Sequence, residues 1–129
     1  MTEKLEIYKC SICGNVVQVL LEGAGELVCC SEVMEKLTPK QNEADELSEK
    51  HIPVIEAGET GNFVKLKYHP MVPEHYIQFI EVYPKNKNCL YLKYFNPSDK
   101  AELDISHFNE ALEALELCNL HGLWSNKND

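Results

Sequence analysis

The chain has 129 residues, of which 44% are hydrophobic and 26% are charged, a balance typical of a folded globular protein rather than a disordered one. Its formal net charge of −9, counted with every cysteine neutral, argues against a nucleic acid or an anionic membrane as a partner. Residues Met1–Lys9 lack the apolar core of a signal peptide, and no stretch reaches the roughly 18 apolar residues that span a bilayer, so the cytoplasm is the expected compartment.

The first 37 residues form a small β-type module in this interpretation. Short strand-like runs occur at Leu5–Lys9, Asn15–Leu21 and Glu26–Val28, and Gly23–Gly25 has the composition of a turn. A piece of fewer than about 40 residues rarely folds without a metal, disulfides or oligomerisation. We therefore predict a metal-dependent module over residues 1–37, followed by a polar linker over residues 38–48.

Four cysteines give this module a candidate metal site. Cys10 and Cys13 form a C-x-x-C pair, and the adjacent pair Cys29 and Cys30 follows. In a reducing compartment such cysteines favour metal binding over disulfides, and four thiolates suit zinc or a single iron. Gly14 allows a tight turn after the first pair. Neighbouring side chains point to opposite sides of a strand, so both Cys29 and Cys30 can bind one ion only in a distorted backbone.

Residues 49–129 again show β patterns. Val64, Leu66 and Tyr68 share one face of the run Phe63–Tyr68. The runs His75–Tyr83 and Cys89–Phe95 are hydrophobic on both faces, which predicts central strands of a β-sandwich. Ser106–Leu117 has a helical composition instead, and its state stays open at this point.

Four histidines stand in distinctive segments of this second part. His51 lies in EKHIPVIE, His69 and His75 bracket a proline-containing loop in YHPMVPEH, and His121 follows Cys118 in CNLHGLW. Two prolines restrict the backbone between His69 and His75. Spacing alone does not identify any of these histidines as a ligand.

These segments together resemble a known family. The run YKCSICGN followed by ELVCCSEVM is similar to the desulforedoxin-type module, and the three histidine segments are similar to those of superoxide reductase. In this order they resemble desulfoferrodoxin, the two-iron superoxide reductase, over essentially the whole chain. The resemblance implies a homodimer with an immunoglobulin-like β-sandwich, an Fe(Cys)4 site, and a second iron. The ligands of that second iron would be His51, His69, His75 and His121 in a plane, with Cys118 on the axis.

The resemblance also implies an activity. Superoxide would receive one electron and two protons and leave as hydrogen peroxide, at the iron position opposite the sulfur. Lys50 would attract the anion and orient a protonating water, and Glu49 would take the sixth position of the oxidised iron. The backbone N–H groups of Leu120 and His121 are plausible donors to the sulfur of Cys118. A rubredoxin-like protein would supply electrons, and the first iron would relay them or only support the dimer.

Two other readings remain open on the sequence alone. One is an electron-transfer protein in which neither metal acts on a substrate, and the other is an interaction module that binds zinc. His107 belongs to no ligand segment, which predicts a surface position, and Cys89 is expected to be a buried free thiol.

Overall fold

A computed structural model of the chain describes residues 1–41, 50–59 and 61–126. The chain divides into two compact units, Met1–Thr38 and Pro39–Asp129. Residues 42–48 of the predicted linker, and Glu49, lie outside the described residues. No helix in the three described ranges has the length and apolar character needed to cross a membrane.

The first unit contains five short strands joined in antiparallel pairs. They are β1 (Ile7–Lys9), β2 (Val16–Gln18), β3 (Val28–Cys29), β4 (Glu32–Val33) and β5 (Glu35–Leu37). The order in one sheet is β2-β1-β5, and β3 pairs with β4. Its buried apolar side chains are few, and they include Ile7, Val19 and Met34. Each predicted run therefore contains a strand, but a unit with so little buried apolar surface depends on a further source of stability.

Seven strands form the second unit within the described residues. They are β6 (Val54–Gly58), β7 (Gly61–Lys65), β8 (Ile77–Pro84), β9 (Tyr91–Tyr94), β10 (Glu102–Asp104), β11 (Leu112–Cys118) and β12 (Gly122–Ser125). One antiparallel sheet has the order β10-β7-β6, and the other has the order β12-β11-β8-β9.

The two sheets of the second unit share one hydrophobic core. Val64 and Leu103 from the smaller sheet belong to the same buried cluster as Ile80, Val82 and Ala114 from the larger sheet. Because buried side chains from both sheets meet in this core, the two sheets form a sandwich. Seven strands in two antiparallel sheets agree with the immunoglobulin-like sandwich that the resemblance implied, although β9 pairs with β8 and not with β10 as it would in a constant-type immunoglobulin domain.

The two strands predicted to be central differ in position. β8 pairs on both sides and is buried along nearly its whole length, as expected. β9 is an edge strand with exposed Lys93 and Tyr94, so the central assignment was wrong there. Cys89 precedes β9 and is exposed, which corrects the expectation of a buried thiol. The apolar residues of the run Cys89–Phe95 therefore belong to a partly exposed edge strand and not to a strand buried on both faces.

The segment with helical composition resolves as a strand. Leu112–Cys118 pairs with β8 along one edge and with β12 along the other. Pairing on both edges and burial of Leu112, Ala114 and Leu115 override the helical preference of Leu, Ala and Glu. His107 is exposed, as predicted.

Candidate metal centres

The four cysteines of the first unit converge. The sulfur atoms of Cys10, Cys13, Cys29 and Cys30 all lie within 4.8 Å of one another. The Cys13 and Cys29 sulfurs are 3.5 Å apart, and those of Cys29 and Cys30 are 4.0 Å apart. Four thiolates at about 2.3 Å from a tetrahedral metal place neighbouring sulfurs about 3.8 Å apart. The four residues therefore fit one tetrahedral ion.

Backbone conformation explains how two adjacent cysteines reach the same point. Cys30 and Ser31 have positive φ angles of 54° and 63°, and Gly14 has a φ of 84°. Positive φ is costly for residues with a side chain, and it turns the chain sharply after β3. The predicted distortion at the adjacent pair and the predicted turn at Gly14 are thus both confirmed.

Hydrogen bonds distribute protons unevenly over these sulfurs. The backbone N–H groups of Cys13 and Ile12 donate to the sulfur of Cys10 and lower its pKa to about 6. Hydrogen bonds with Cys13 and Cys10 raise the pKa of Cys30 to about 12. Without a metal, Cys30 therefore keeps its proton to higher pH than Cys10 does, whereas a bound cation would stabilise all four cysteines as thiolates.

A second cluster forms in the second unit. Ligand atoms of His51, His69, His75 and Cys118 all lie within 4.8 Å of one another. Nε2 of His69 is 3.2 Å from Nε2 of His51 and 3.2 Å from Sγ of Cys118. Metal–nitrogen bonds of about 2.1 Å set at right angles bring neighbouring donor atoms to about 3 Å, so these spacings fit one ion.

Strand pairing brings the segments of this cluster together. Cys118, the last residue of β11, pairs with Ile77 on one side and with Gly122 on the other. His75 stands two residues before Ile77, and His121 directly precedes Gly122. The register shift between Leu117 and Cys118 changes the direction of the chain at the sulfur. The sheet therefore delivers three of the predicted ligands to one end of neighbouring strands.

The ring nitrogens of His69 and His75 are available to coordinate a cation. Nδ1 of His69 lies 2.6 Å from the carbonyl oxygen of Pro70, so it donates its proton there and leaves Nε2 free to coordinate. Burial lowers the pKa of His69 to about 4 and also lowers the pKa of His75. Nε2 of His75 is buried without a hydrogen-bond partner in the described part of the chain. An unpartnered buried nitrogen beside a thiol is the arrangement expected around a metal.

His121 completes a ring of imidazoles at a slightly greater distance. Its ligand atom is not within 4.8 Å of all the others in the described cluster. Its ring centroid lies 4.9 Å from that of His51 and 5.1 Å from that of His75, and both pairs are edge-to-face. His51 and His69 make a similar contact at 4.6 Å. The four predicted histidines therefore lie in ring-to-ring contact, and the ligand atoms of three of them converge with the Cys118 sulfur.

The environment of Cys118 both opposes and supports a thiolate. Burial raises the pKa of its thiol, while N–H groups of Leu120 and His121 donate to the sulfur and lower it, as the sequence suggested. Cys118 is 2% exposed and His51 is fully buried, whereas His75 and His121 are only partly buried. The cluster is thus closed around Cys118 and more open toward His75 and His121.

The two predicted non-ligand residues have different outcomes. Lys50 is exposed, and its charge contributes to the lowered pKa of His75, so its ammonium lies within electrostatic reach of the cluster. Glu49 lies outside the described residues.

Two residues that support the cluster were not singled out from the sequence. The ring of Trp124 stacks on His51 with centroids 4.9 Å apart, and its Nε1 donates to the carbonyl oxygen of His121. The side chain of Asn119 accepts from the Tyr76 N–H at 2.9 Å and donates to the Glu74 carbonyl at 3.1 Å. Asn119 thereby ties the Cys118 segment to the residues on either side of His75. Both lie in CNLHGLW, the only signal that could have found them.

Comparisons with known proteins agree with this geometry. The profile of the desulfoferrodoxin N-terminal domain matches residues 2–37, and the desulfoferrodoxin profile matches residues 43–127. Desulfoferrodoxin of Syntrophotalea carbinolica is 46% identical, over 98% of this chain and 99% of its own length. Superoxide reductase of Pyrococcus furiosus is 35% identical, over 61% of this chain and 86% of its own.

A solved structure extends the likeness to the fold of the whole chain. The superoxide reductase from Treponema pallidum superposes with a TM-score of 0.71 at 30% identity, over 98% of this chain and 100% of its own. Both profiles, a relative that matches along its full length and a shared fold point the same way. The chain belongs to the desulfoferrodoxin family.

Proposed function

We propose that this chain is a superoxide reductase, which converts superoxide, one electron and two protons into hydrogen peroxide. The observation that carries the proposal is the convergence of three buried or partly buried histidines on the Cys118 sulfur, with Nε2 of His69 free to coordinate. A purely electron-transferring site has no need of a ring that opens toward His75 and His121. Relatives named superoxide reductase support the same activity.

Iron is the metal that the proposal assigns to this cluster, with His51, His69, His75, His121 and Cys118 as ligands. When bound there, it would supply the electron and a position for the substrate anion. The imidazoles of His69 and His75 contribute neutral nitrogen donors, because burial lowers the pKa of both side chains. The thiolate contributes electron density, and the N–H groups of Leu120 and His121 moderate its basicity.

Lys50 and Glu49 are the proposed catalytic residues around the metal. Superoxide is an anion, and the ammonium of Lys50 would attract it and orient a water that donates a proton. The exposure of Lys50 and its electrostatic effect on His75 support this role. Glu49 would occupy the vacated position of the oxidised metal; this role rests on the motif EKHIPVIE.

The four cysteines of the first unit would hold a second iron. Cys13 and Cys30 are exposed, which supports exchange of electrons near the surface. We propose a rubredoxin-like protein as the source of electrons for the chain. The six cysteines of the described residues form no disulfide, which supports a reducing compartment, the cytoplasm.

A homodimer is proposed on the apolar surface of the first unit. Leu20, Leu21 and Val28 are 69%, 80% and 61% exposed, a high fraction for large apolar side chains in so small a unit. They stand near a groove of about 660 Å³ lined by Val17, Leu21, Val28 and other residues. Apolar patches of this kind mark association surfaces.

Metal content, an optical spectrum and the stoichiometry of superoxide consumption test the proposal together. The purified protein is expected to be coloured when oxidised and to hold two irons per chain. A reductase supplied with an electron donor yields one peroxide for each superoxide, whereas a dismutase yields one peroxide for every two. Two zinc ions and a colourless protein would establish the interaction module instead, and iron without superoxide consumption would leave an electron-transfer protein.

A further inference from the structure

Lys40 falls within the predicted linker, yet its backbone is paired with β12. Its N–H donates to the carbonyl of Leu123 at 3.0 Å, and its carbonyl accepts from the N–H of Ser125 at 3.1 Å. These bonds form a parallel bridge between Lys40 and Trp124. Two backbone hydrogen bonds on one residue fix the origin of its side chain, so Lys40 has a defined place beside the second cluster.

The side chain of Lys40 reaches the segment that carries two of the proposed ligands. Its Nζ donates to the carbonyl oxygen of His121 at 3.1 Å and lies 5.1 Å from the centroid of the Trp124 ring. Nε1 of Trp124 donates to the same oxygen at 3.0 Å. The His121 carbonyl thus accepts from two donors, and one of those donors is charged, which makes the stronger kind of hydrogen bond.

The contacts continue from Lys40 to the centre of the cluster. Trp124 is fully buried, and its indole stacks on His51. One face of the Trp124 ring system therefore serves a ligand, while the lysine ammonium lies within cation–π distance of the same ring. A change at Lys40 would alter the packing of His51 through Trp124 and the position of His121 through its carbonyl.

We propose that Lys40 is a positioning residue of the catalytic centre, which holds the Cys118–His121 segment in place and keeps a fixed positive charge beside it. The inference deepens the proposed function and rests on it where it concerns the iron. The ammonium of Lys40 is 3.1 Å from the backbone carbonyl of His121, three residues after Cys118. Removing a nearby cation favours the more positive, oxidised state of a bound metal, so its midpoint potential should fall.

Three variants of the full-length protein test this role. Lys40→Met keeps the length of the side chain and removes its charge, and Lys40→Arg keeps the charge. Lys93→Met is a matched control, because the Lys93 ammonium also lies over an aromatic ring, that of Phe95 at 5.4 Å, on the edge strand β9. The midpoint potential of the sulfur-ligated iron is measured by redox titration of its charge-transfer band. Fluorescence of zinc-loaded protein reports on packing, because Trp124 is the chain's single tryptophan.

The proposal expects a lower potential and a red-shifted tryptophan emission in Lys40→Met, with both restored toward wild type in Lys40→Arg. Lys93→Met should match wild type in both measurements. A midpoint potential in Lys40→Met equal to that of wild type would overturn the proposal. So would a midpoint potential in Lys40→Arg that falls as far as it does in Lys40→Met. Superoxide stoichiometry of the wild type tests the proposed function separately. The emission of zinc-loaded protein also stays informative about Lys40 if that function is wrong.

Discussion

The sulfur of Cys118 lies 3.2 Å from Nε2 of His69, although the two residues are 49 positions apart in the chain. Cys118 ends a strand of the larger sheet, and His69 follows β7 in the smaller sheet. The cluster therefore exists only when both sheets of the sandwich are in place. Metal binding should stabilise the second unit, because the unfolded chain cannot present these two atoms together.

Replacing Cys118 by Ser is expected to remove the sulfur-to-iron charge-transfer band of the oxidised protein. A serine hydroxyl donates less electron density than a thiolate, so the rate of superoxide reduction should also fall, by more than the roughly 10–100-fold that loss of a residue hydrogen-bonded to a ligand costs. Optical spectroscopy and iron analysis of the same sample check this result.

Cys89 supplies the control for that experiment. It is an exposed free thiol that precedes β9. Cys89→Ser should leave the spectrum and the rate unchanged. A band that survives in Cys118→Ser and disappears in Cys89→Ser would show that the thiolate ligand had been assigned to the wrong cysteine.

Replacing Cys13 by Ser is expected to remove only the bands of the first iron. The sulfur of Cys13 lies 3.5 Å from that of Cys29, and the four cysteines belong to a unit with its own sheet. Superoxide consumption by the prereduced protein should survive, because the ligands of the proposed catalytic iron lie in the second unit. Loss of activity with the second iron fully loaded would contradict this separation of roles.

Glu116 should make stability depend on pH in a direction that is unusual for a carboxylate. Burial raises its pKa well above the ordinary value, and both side-chain oxygens lack a hydrogen-bond partner among the described residues. Between the ordinary pKa and the raised one, the unfolded chain has released a proton that the folded chain keeps. Stability from this group is therefore present at low pH and is lost as pH rises.

Glu116→Gln is then expected to stabilise the protein more at higher pH. The advantage over wild type should grow by at most about 1.4 kcal/mol for each pH unit in the window. Thermal unfolding midpoints between about pH 5 and pH 8 measure it, with the exposed Glu110→Gln as the control. A constant difference across this range would mean that Glu116 is not protonated in the folded state.

Local features of the sequence predicted the first centre well. Cys10, Cys13 and Gly14 lie in one turn of the chain. The positive φ angle of Cys30 is expected because the side chains of two adjacent residues must reach the same metal. Composition misled for Leu112–Cys118, because Leu, Ala and Glu favour a helix unless neighbouring strands and a shared core impose extension.

The second centre could not be derived from spacing, because its ligands come from separate segments. Only the resemblance of three motifs brought His51, His69 and Cys118 together before the fold was known. Lys40 carried no such signal, since its contacts with His121 and Trp124 depend on pairing across 81 and 84 positions. Cys89 was mispredicted for a related reason. Its apolar neighbours in the sequence suggested a buried thiol, but they form an edge strand, and Cys89 is exposed.

Lys50→Ala is expected to slow the reaction of the reduced protein with superoxide by roughly 10-fold or more, the scale of electrostatic steering. The chain has a formal charge of −9 and repels an anion on average, so capture must depend on a cation near the metal. The charge of Lys50 acts on His75, and screening confines its effect to about 8–10 Å at physiological salt. The optical spectrum should be nearly unchanged, because Lys50 is not a ligand.

Lys67→Ala is the matched control for this last prediction, because it changes the net charge by the same amount. Nζ of Lys67 lies 2.6 Å from Oε1 of Glu56, and Lys65 lies 3.8 Å from the other oxygen of that carboxylate, so Glu56 offsets part of their charge. Stopped-flow rates measured over a range of ionic strength should fall for wild type and Lys67→Ala, and fall less for Lys50→Ala. Because net charge is equal in the two variants, a difference between them isolates the position of the Lys50 ammonium. Equal rates and equal salt dependence would leave Lys50 as an ordinary solvated residue.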